Sequence, residues 1–255
     1  MQSLYLIILF VLGTLFGSFF TVVGSRLPRG ENFIKKRSHC DNCKHNLSFL
    51  DMIPILSFLF LKGKCRYCGK KIDSLSTWME LFTGILFSLS YFTFGFSYQL
   101  FFALGIVSLL IILSVSDISY YIIPDEVLIF FSGYFIVLTT LNSGIKAALL
   151  VILSGLILFF FMYIVMLLGN FLFKKESLGG GDIKLMFVIG LVLHPFLGLF
   201  VIFIASVIAL PISLIILWRK KKNLVPYGPF LLIAFMLIYF TRLDMKTIID
   251  FIRTI

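Results

Sequence analysis

Charge is what this sequence has least of. Only 13% of the 255 residues are Asp, Glu, Lys or Arg, while 60% are apolar. A soluble domain carries about 25% charge, so this chain has too little polar surface to meet water on all sides. Lipid is the solvent expected for most of it, and no separate soluble domain of ordinary size fits beside that much hydrocarbon. Acids are scarcer than bases, 12 against 22, which leaves a formal charge of +10. Cysteine is confined to four residues between positions 40 and 68. A basic start is missing too: residues 1–5 carry no Lys or Arg, and the apolar run 4–23 is 20 residues long. A cleavable signal has a core of about 7–15 residues behind a basic start. Residues 4–23 are therefore expected to be an uncleaved first span with its N-terminus outside.

The remaining charge-free stretches are 81–116, 127–144, 147–173, 185–218 and 223–241. A crossing needs about 20 apolar residues, so the stretches of 36 and 34 residues must each fold back, near Gly95–Ser97 and near His194–Pro195. Eight spans follow, all helical, because lipid satisfies no backbone polar group. The sixth, 185–193, is short. Eleven of the 22 basic residues lie between Arg26 and Lys71. In a soluble protein such a run would suggest nucleic acid; here the positive-inside rule makes it a cytoplasmic loop, and no nucleic-acid partner is expected. The same rule places 117–126, 174–184 and 219–222 inside and the tail 242–255 outside. The expected organisation is a first span (1–24), a cytoplasmic loop (25–77) and a membrane helix bundle (78–255).

The cysteines are paired as Cys40-x-x-Cys43 and Cys65-x-x-Cys68. Two such pairs read as a tetrahedral zinc site, and cytoplasmic thiols stay reduced, which argues against disulfides. Lys64 and Arg66 favour the thiolates. Four sulfur ligands leave no position for water, so the zinc is structural: it folds a loop too small to build a core. His39 and His45 flank the first pair as competing ligands or as solvated loop residues. Residues 51–57 between the pairs are apolar enough to lie on the membrane surface.

Acids near membrane spans are functional hypotheses by default. Asp117 ends the third span, at the unfavourable end of its helix dipole. Asp182 follows Gly179, Gly180 and Gly181 at the start of the sixth span. Asp182 and Asp125 could each simply cap a helix. Asp117 and Asp182 are expected at the same cytoplasmic depth. Two aspartates brought together share one proton, and such a pair hydrolyses peptides: the ionised member takes a proton from water while the protonated one polarises the scissile carbonyl.

Gly179-x-Gly181-Asp182-x-Lys184-Leu185 resembles the Gly-x-Gly-Asp signature of intramembrane aspartic proteases, and its surroundings resemble the prepilin peptidases. Similar to that family are residues 17–23 with Arg26-Leu27-Pro28, and Asp51-x-Ile53-Pro54-x-Leu56-Ser57. So are residues 63–69, Asp117-Ile118 with Ile123-Pro124-Asp125, and Pro226-Tyr227-Gly228-Pro229-Phe230. The chain departs from the family at Asp41-Asn42, where a proline is usual, and at Thr21, where asparagine is common. The resemblance implies catalysis by Asp117 and Asp182, with Asp125, Gly179, Gly181 and Lys184 supporting. It implies substrates that are single-span prepilins or pseudopilins with a short basic leader, cut after a glycine. It also implies N-methylation of the new N-terminus with S-adenosylmethionine, linked to Glu80 and Gly84. Gly179–Gly181 is too short to read as a nucleotide loop.

Two other classes fit intramembrane acids. An ion-coupled transporter would carry paired repeats with helices broken at mid-membrane, and the sequence shows no repeat. A zinc-bearing scaffold without catalysis would be indifferent to Asp117→Asn.

Overall fold

The computed structural model describes residues 1–33, 38–40, 42–174, 178–220 and 225–242. Lys35, Lys36, Arg37 and Asp41 of the basic loop, Lys221 and Lys222, and residues 243–255 of the tail lie outside the described residues. The protein is an all-α membrane bundle. Nine helices are described: α1 (Gln2–Arg26), α2 (Leu56–Phe60), α3 (Leu75–Phe94), α4 (Tyr98–Tyr120), α5 (Asp125–Ser143), α6 (Ile145–Phe173), α7 (Gly180–Gly190), α8 (Pro195–Lys220) and α9 (Gly228–Phe240).

The eight expected spans correspond in order to α1 and α3–α9. Five segments are long and apolar enough to cross a membrane: Gln2–Arg29, Tyr98–Tyr120, Asp125–Ser143, Ile145–Leu172 and Pro195–Ile215. Of the other three, α3 has 20 residues and carries Glu80, α9 has 13, and α7 has 11. At about 1.5 Å per residue, α7 reaches roughly half of a hydrocarbon core of about 30 Å. It starts five residues before the expected sixth span, so Asp182 lies inside its first turn. The fold-backs fall where the glycine and proline signals put them: Gly95 (φ 59°) ends α3, Gly144 (φ 83°) separates α5 from α6, and Pro195 opens α8.

The chain divides into two units, Met1–Phe96 and Ser97–Ile255. In the first, α1 packs along α3 through small residues. A Cβ on Gly13 would lie 2.8 Å from Gly84 Cα, and one on Gly17 would lie 2.9 Å from Glu80 Cα. Small residues let backbones approach where lipid supplies no hydrophobic drive between helices. Between these helices, α2 and two single-turn 3-10 helices (Leu27–Arg29 and Phe49–Met52) carry the cysteine loop. In the second unit, α4 is the core element, buried along most of its length, with α5 and α9 against it. α6 packs on α7 at another glycine contact, where a Cβ on Gly190 would stand 2.6 Å from Gly155 Cα. Among the described residues the backbone pairing outside helices is limited to two isolated bridges, His39–Asn46 and Lys64–Lys71.

Candidate active site

Within the second unit, α9 packs against both α4 and α7. Asp117 is in the last turn of α4 and 6% exposed. That helix ends on Tyr121 in the left-handed region (φ 58°), whose N–H donates to the Asp117 carbonyl at 2.9 Å. The chain then folds back, held by a hydrogen bond from the Ser116 hydroxyl to the Ile122 carbonyl. Ile123 is thereby wedged against two glycines. A Cβ on Gly181 would lie 2.7 Å from Ile123 Cβ, and one on Gly228 would lie 3.2 Å from Ile123 Cδ1. Gly181 is thus required by close approach, since a real Cβ at that distance would displace the wedge. Gly179, at the N-cap of α7 with φ −70°, accepts the Asp182 N–H at 3.1 Å, while Gly180 meets nothing within 4 Å.

Asp182 is 9% exposed, and Ile123 lies against both Gly181, the residue before it, and Gly228, whose N–H meets Asp117. The two aspartates thus flank one residue, Ile123, at the ends of α4 and α7. Their hydrogen bonding differs. The Gly228 N–H donates to Asp117 Oδ2 at 3.1 Å, whereas Asp182 Oδ1 is buried with no partner among the described residues. Helix ends act in the opposite sense, placing Asp182 at a positive end and Asp117 at a negative one. That effect is worth about 0.3–1 kcal/mol, against about 1.5–3 kcal/mol for a hydrogen bond to a charged group, so the Gly228 contact dominates at Asp117.

Neither Asp182 nor Asp125 caps its helix through the side chain. Asp125 instead accepts two hydrogen bonds from Lys184 Nζ, at 2.7 and 2.8 Å, joining α5 to α7. Both side chains are about half exposed, so the pair adds little stability. Its effect is to fix the first turns of two helices relative to each other. His194 lies beyond the far end of α7, with Nδ1 accepting the Phe196 N–H at 3.4 Å. Tyr227 and Gly228 belong to a motif the sequence contained, yet their roles were not legible: what Gly228 contributes is a backbone N–H, which any residue has. The signal available was a Pro-Tyr-Gly-Pro turn amid apolar sequence. Ile123 stood in the Ile123-Pro124-Asp125 motif, but nothing there showed that it wedges against two glycines.

In the first unit the four cysteine sulfurs lie within 4.8 Å of one another, a set able to hold one metal ion. Each pair forms the same turn. Lys44 N–H donates to the Cys40 carbonyl and Gly69 N–H to the Cys65 carbonyl, both at 2.9 Å, with Lys44 and Gly69 in the left-handed region. The Lys70 N–H and the Asn42 amide hold the Cys68 thiol down to about 6. Neither His39 nor His45 joins the set; His45 packs on the Tyr67 ring at 3.7 Å. Asp51, its side chain 3% exposed, ties the second turn to the loop. It accepts from Arg66 Nε at 2.7 Å, Ser48 Oγ at 2.7 Å, Ser48 N–H at 3.1 Å and Tyr67 Oη at 3.2 Å.

A cavity of about 330 Å³ opens in the same unit, lined by polar Ser18, Asp73, Ser76, Thr77 and Glu80 and by apolar Phe19, Met52 and Phe58. Glu80, 7% exposed, accepts the Ile55 N–H at 2.9 Å and the Ser76 hydroxyl at 3.4 Å. Ile55 has φ 61° and ψ −52°, a rare conformation for a β-branched residue, and Glu80 helps hold it. Gly84 does not line the cavity; it packs on Thr14 and Phe10 of α1.

Comparison with known proteins returns two family models in chain order: the bacterial peptidase A24 N-terminal domain over residues 11–94 and the type IV leader peptidase family over residues 104–214. Three relatives carry the same name, prepilin leader peptidase/N-methyltransferase. That of Bacillus subtilis is 39% identical over 73% of this chain and 73% of its own length. That of Myxococcus xanthus is 33% identical over 73% of this chain and 56% of its own. That of Vibrio cholerae is 29% identical over 94% and 98%. No solved structure matches.

Proposed function

Because the chain belongs to the type IV leader peptidase family, we propose that it removes the basic leader of prepilin-like precursors with Asp117 and Asp182 as its catalytic pair. The observation that carries this reading is the burial of both aspartates in one unit, at the ends of α4 and α7 and on either side of Ile123. Like charges at close range hold one proton between them, which supplies acid and base at one site. One carboxylate takes a proton from water as the water oxygen attacks the scissile carbonyl carbon. The other gives its proton to the carbonyl oxygen. Collapse of the resulting diol breaks the C–N bond, the leaving nitrogen takes a proton from the first aspartate, and the second recovers its own from the diol.

Asp125 and Lys184 fix α5 on α7 beside this pair, and Gly181 admits Ile123. The basic loop and the aspartate ends of the helices face the cytoplasm and the N-terminus faces outward, in accord with the distribution of Lys and Arg. Substrates are single-span precursors whose leader precedes the membrane helix. The four cysteines hold a structural zinc, for which four sulfurs within 4.8 Å are a fitting donor set.

The second activity in the relatives' names, methyl transfer, has a suitable place in the first unit. S-adenosylmethionine supplies an electrophilic methyl group. The cavity's Asp73 and Glu80 carboxylates suit hydroxyl groups and a cationic sulfur, and Phe19 and Phe58 form an apolar wall for a planar base. Glu80 also holds the backbone of Ile55, which lies in the chain between the lining residues Met52 and Ser57, so it shapes the cavity as well as lining it.

The deciding experiment is co-expression with a candidate prepilin. Asp117→Asn and Asp182→Asn should each lower cleavage by at least about a hundredfold, the scale of a lost proton-transfer group, while the protein still inserts. Asp125→Asn should cost less. Wild-type cleavage by either of the first two variants would refute the pair.

A further inference from the structure

The two aspartates are chemically alike, and nothing in the sequence says which one starts the reaction as the base. Their surroundings do differ. Asp117 Oδ2 receives a hydrogen bond from the Gly228 N–H at 3.1 Å, inside the protein. A fixed backbone donor stabilises a carboxylate and cannot be withdrawn by a side-chain rotation. It is also directional: a Cβ on Gly228 would stand 2.9 Å from that same oxygen, so the glycine permits the approach.

Asp182 is in the contrary situation. Its Oδ1 is buried and has no hydrogen-bond partner among the described residues, and an ionised oxygen left in that state carries an uncompensated desolvation cost. The polar groups nearby are engaged elsewhere. Tyr227 Oη shares a hydrogen bond with Ser206 Oγ at 3.0 Å and lies 3.4 Å from the Ile202 carbonyl. Lys184, on the same helix, directs its ammonium to Asp125. Lys175 and Glu176, on the segment before α7, lie outside the described residues.

From this asymmetry we propose that Asp117 is the ionised member of the resting pair and Asp182 carries the shared proton. Asp117 therefore activates the water, and Asp182 donates its proton to the scissile carbonyl oxygen. The Tyr227–Gly228 turn at the start of α9 sets this division of labour, which makes Gly228 a positioning residue acting through its N–H. The assignment rests on the reading of Asp117 and Asp182 as the catalytic pair.

The test is infrared spectroscopy of the full-length, zinc-loaded protein in lipid nanodiscs near neutral pH, with cleavage measured on the same samples. Replacing either carboxyl by an amide keeps its shape, and retained zinc with an unchanged melting transition shows that a variant is folded. In the difference spectra, Asp182→Asn should remove a protonated-carboxyl stretch that Asp117→Asn retains, and both variants should lose cleavage. Buried Glu80, in the other unit, contributes equally to all samples and cancels. If the band is lost in Asp117→Asn instead, in both variants or in neither, the division of labour is wrong although the loss of cleavage still supports the pair. If either variant cleaves at the wild-type rate, the pair itself is wrong.

Discussion

At the scale of single residues, the site is built as much by missing side chains as by those present. Gly179, Gly180 and Gly181 look interchangeable in sequence, yet their surroundings differ. Gly181 faces Ile123 Cβ at 2.7 Å from its own would-be Cβ, whereas Gly180 faces open space. Gly181→Ala should therefore push Ile123 off its seat and cut prepilin cleavage at least about tenfold, with a destabilisation of about 1–3 kcal/mol for overpacking. Gly180→Ala should leave cleavage within about twofold, because it adds a methyl to free space at a helix start. Equal damage from both would mean that backbone freedom, rather than Ile123, fixes the motif. Asp51 makes a second residue-level case. Burial opposes its charge, but Ser48, Arg66 and Tyr67 together hold its carboxyl below the usual range. A lowered acid stabilises the fold above its ordinary pKa and loses that contribution as the pH falls through the lowered value. In the zinc-loaded protein, Asp51→Asn should lower stability near neutral pH by about 1.5–3 kcal/mol for the charged hydrogen bonds. The gap from wild type should close on acidification, as followed by thermal melting at a series of pH values. A gap that widens in acid would contradict the network.

At the scale of elements, the cysteine loop and the spans show what sequence spacing can and cannot tell. The C-x-x-C pairs were legible because metal ligands must sit at fixed separations, and each pair indeed closes the same left-handed turn, at Lys44 and at Gly69. Metal binding and folding should be one event in so small a loop. Purified protein should contain about one zinc, and chelation, or Cys40→Ser or Cys68→Ser, should lower metal content and melting temperature together; a metal-free protein that melts unchanged would remove the structural role. Helix ends were less legible. α7 starts at Gly180 although the charge-free run starts at Leu185, because Asp182 and Lys184 interrupt that run without preventing a helix. Its short length was visible in the sequence, but its packing on α6 through Gly155 and Gly190 was not, since no local pattern reports a partner 35 residues away in the chain. The Gly228–Asp117 hydrogen bond, spanning 111 residues, was hidden for the same reason.

At the scale of the whole molecule, composition alone gave the solvent, because so few charged residues leave nothing to cover a water-facing surface. The side of the membrane proposed for the reaction rests on the same scarcity. Asp117 and Asp182 stand at the C-terminal end of α4 and the N-terminal end of α7, ends that the proposed topology puts in the cytoplasm. A bond cut there must precede the substrate's own membrane helix, since helical backbone is protected by its internal hydrogen bonds. The scissile junction must then be extended, and the resemblance to prepilin peptidases implies a glycine before the bond, which would let its backbone approach both carboxyls without a side chain in the way. Replacing that substrate glycine by a bulky residue should reduce cleavage at least about a hundredfold, whereas changing leader length by two or three residues should alter it less than about threefold. Purified enzyme, a fluorescent prepilin series and gel mobility measure both. Efficient cutting of the bulky variant would show that the junction does not enter between Asp117 and Asp182. A cut within the mature helix would show that the bond is presented from inside the bilayer, away from the cytoplasmic ends of the helices.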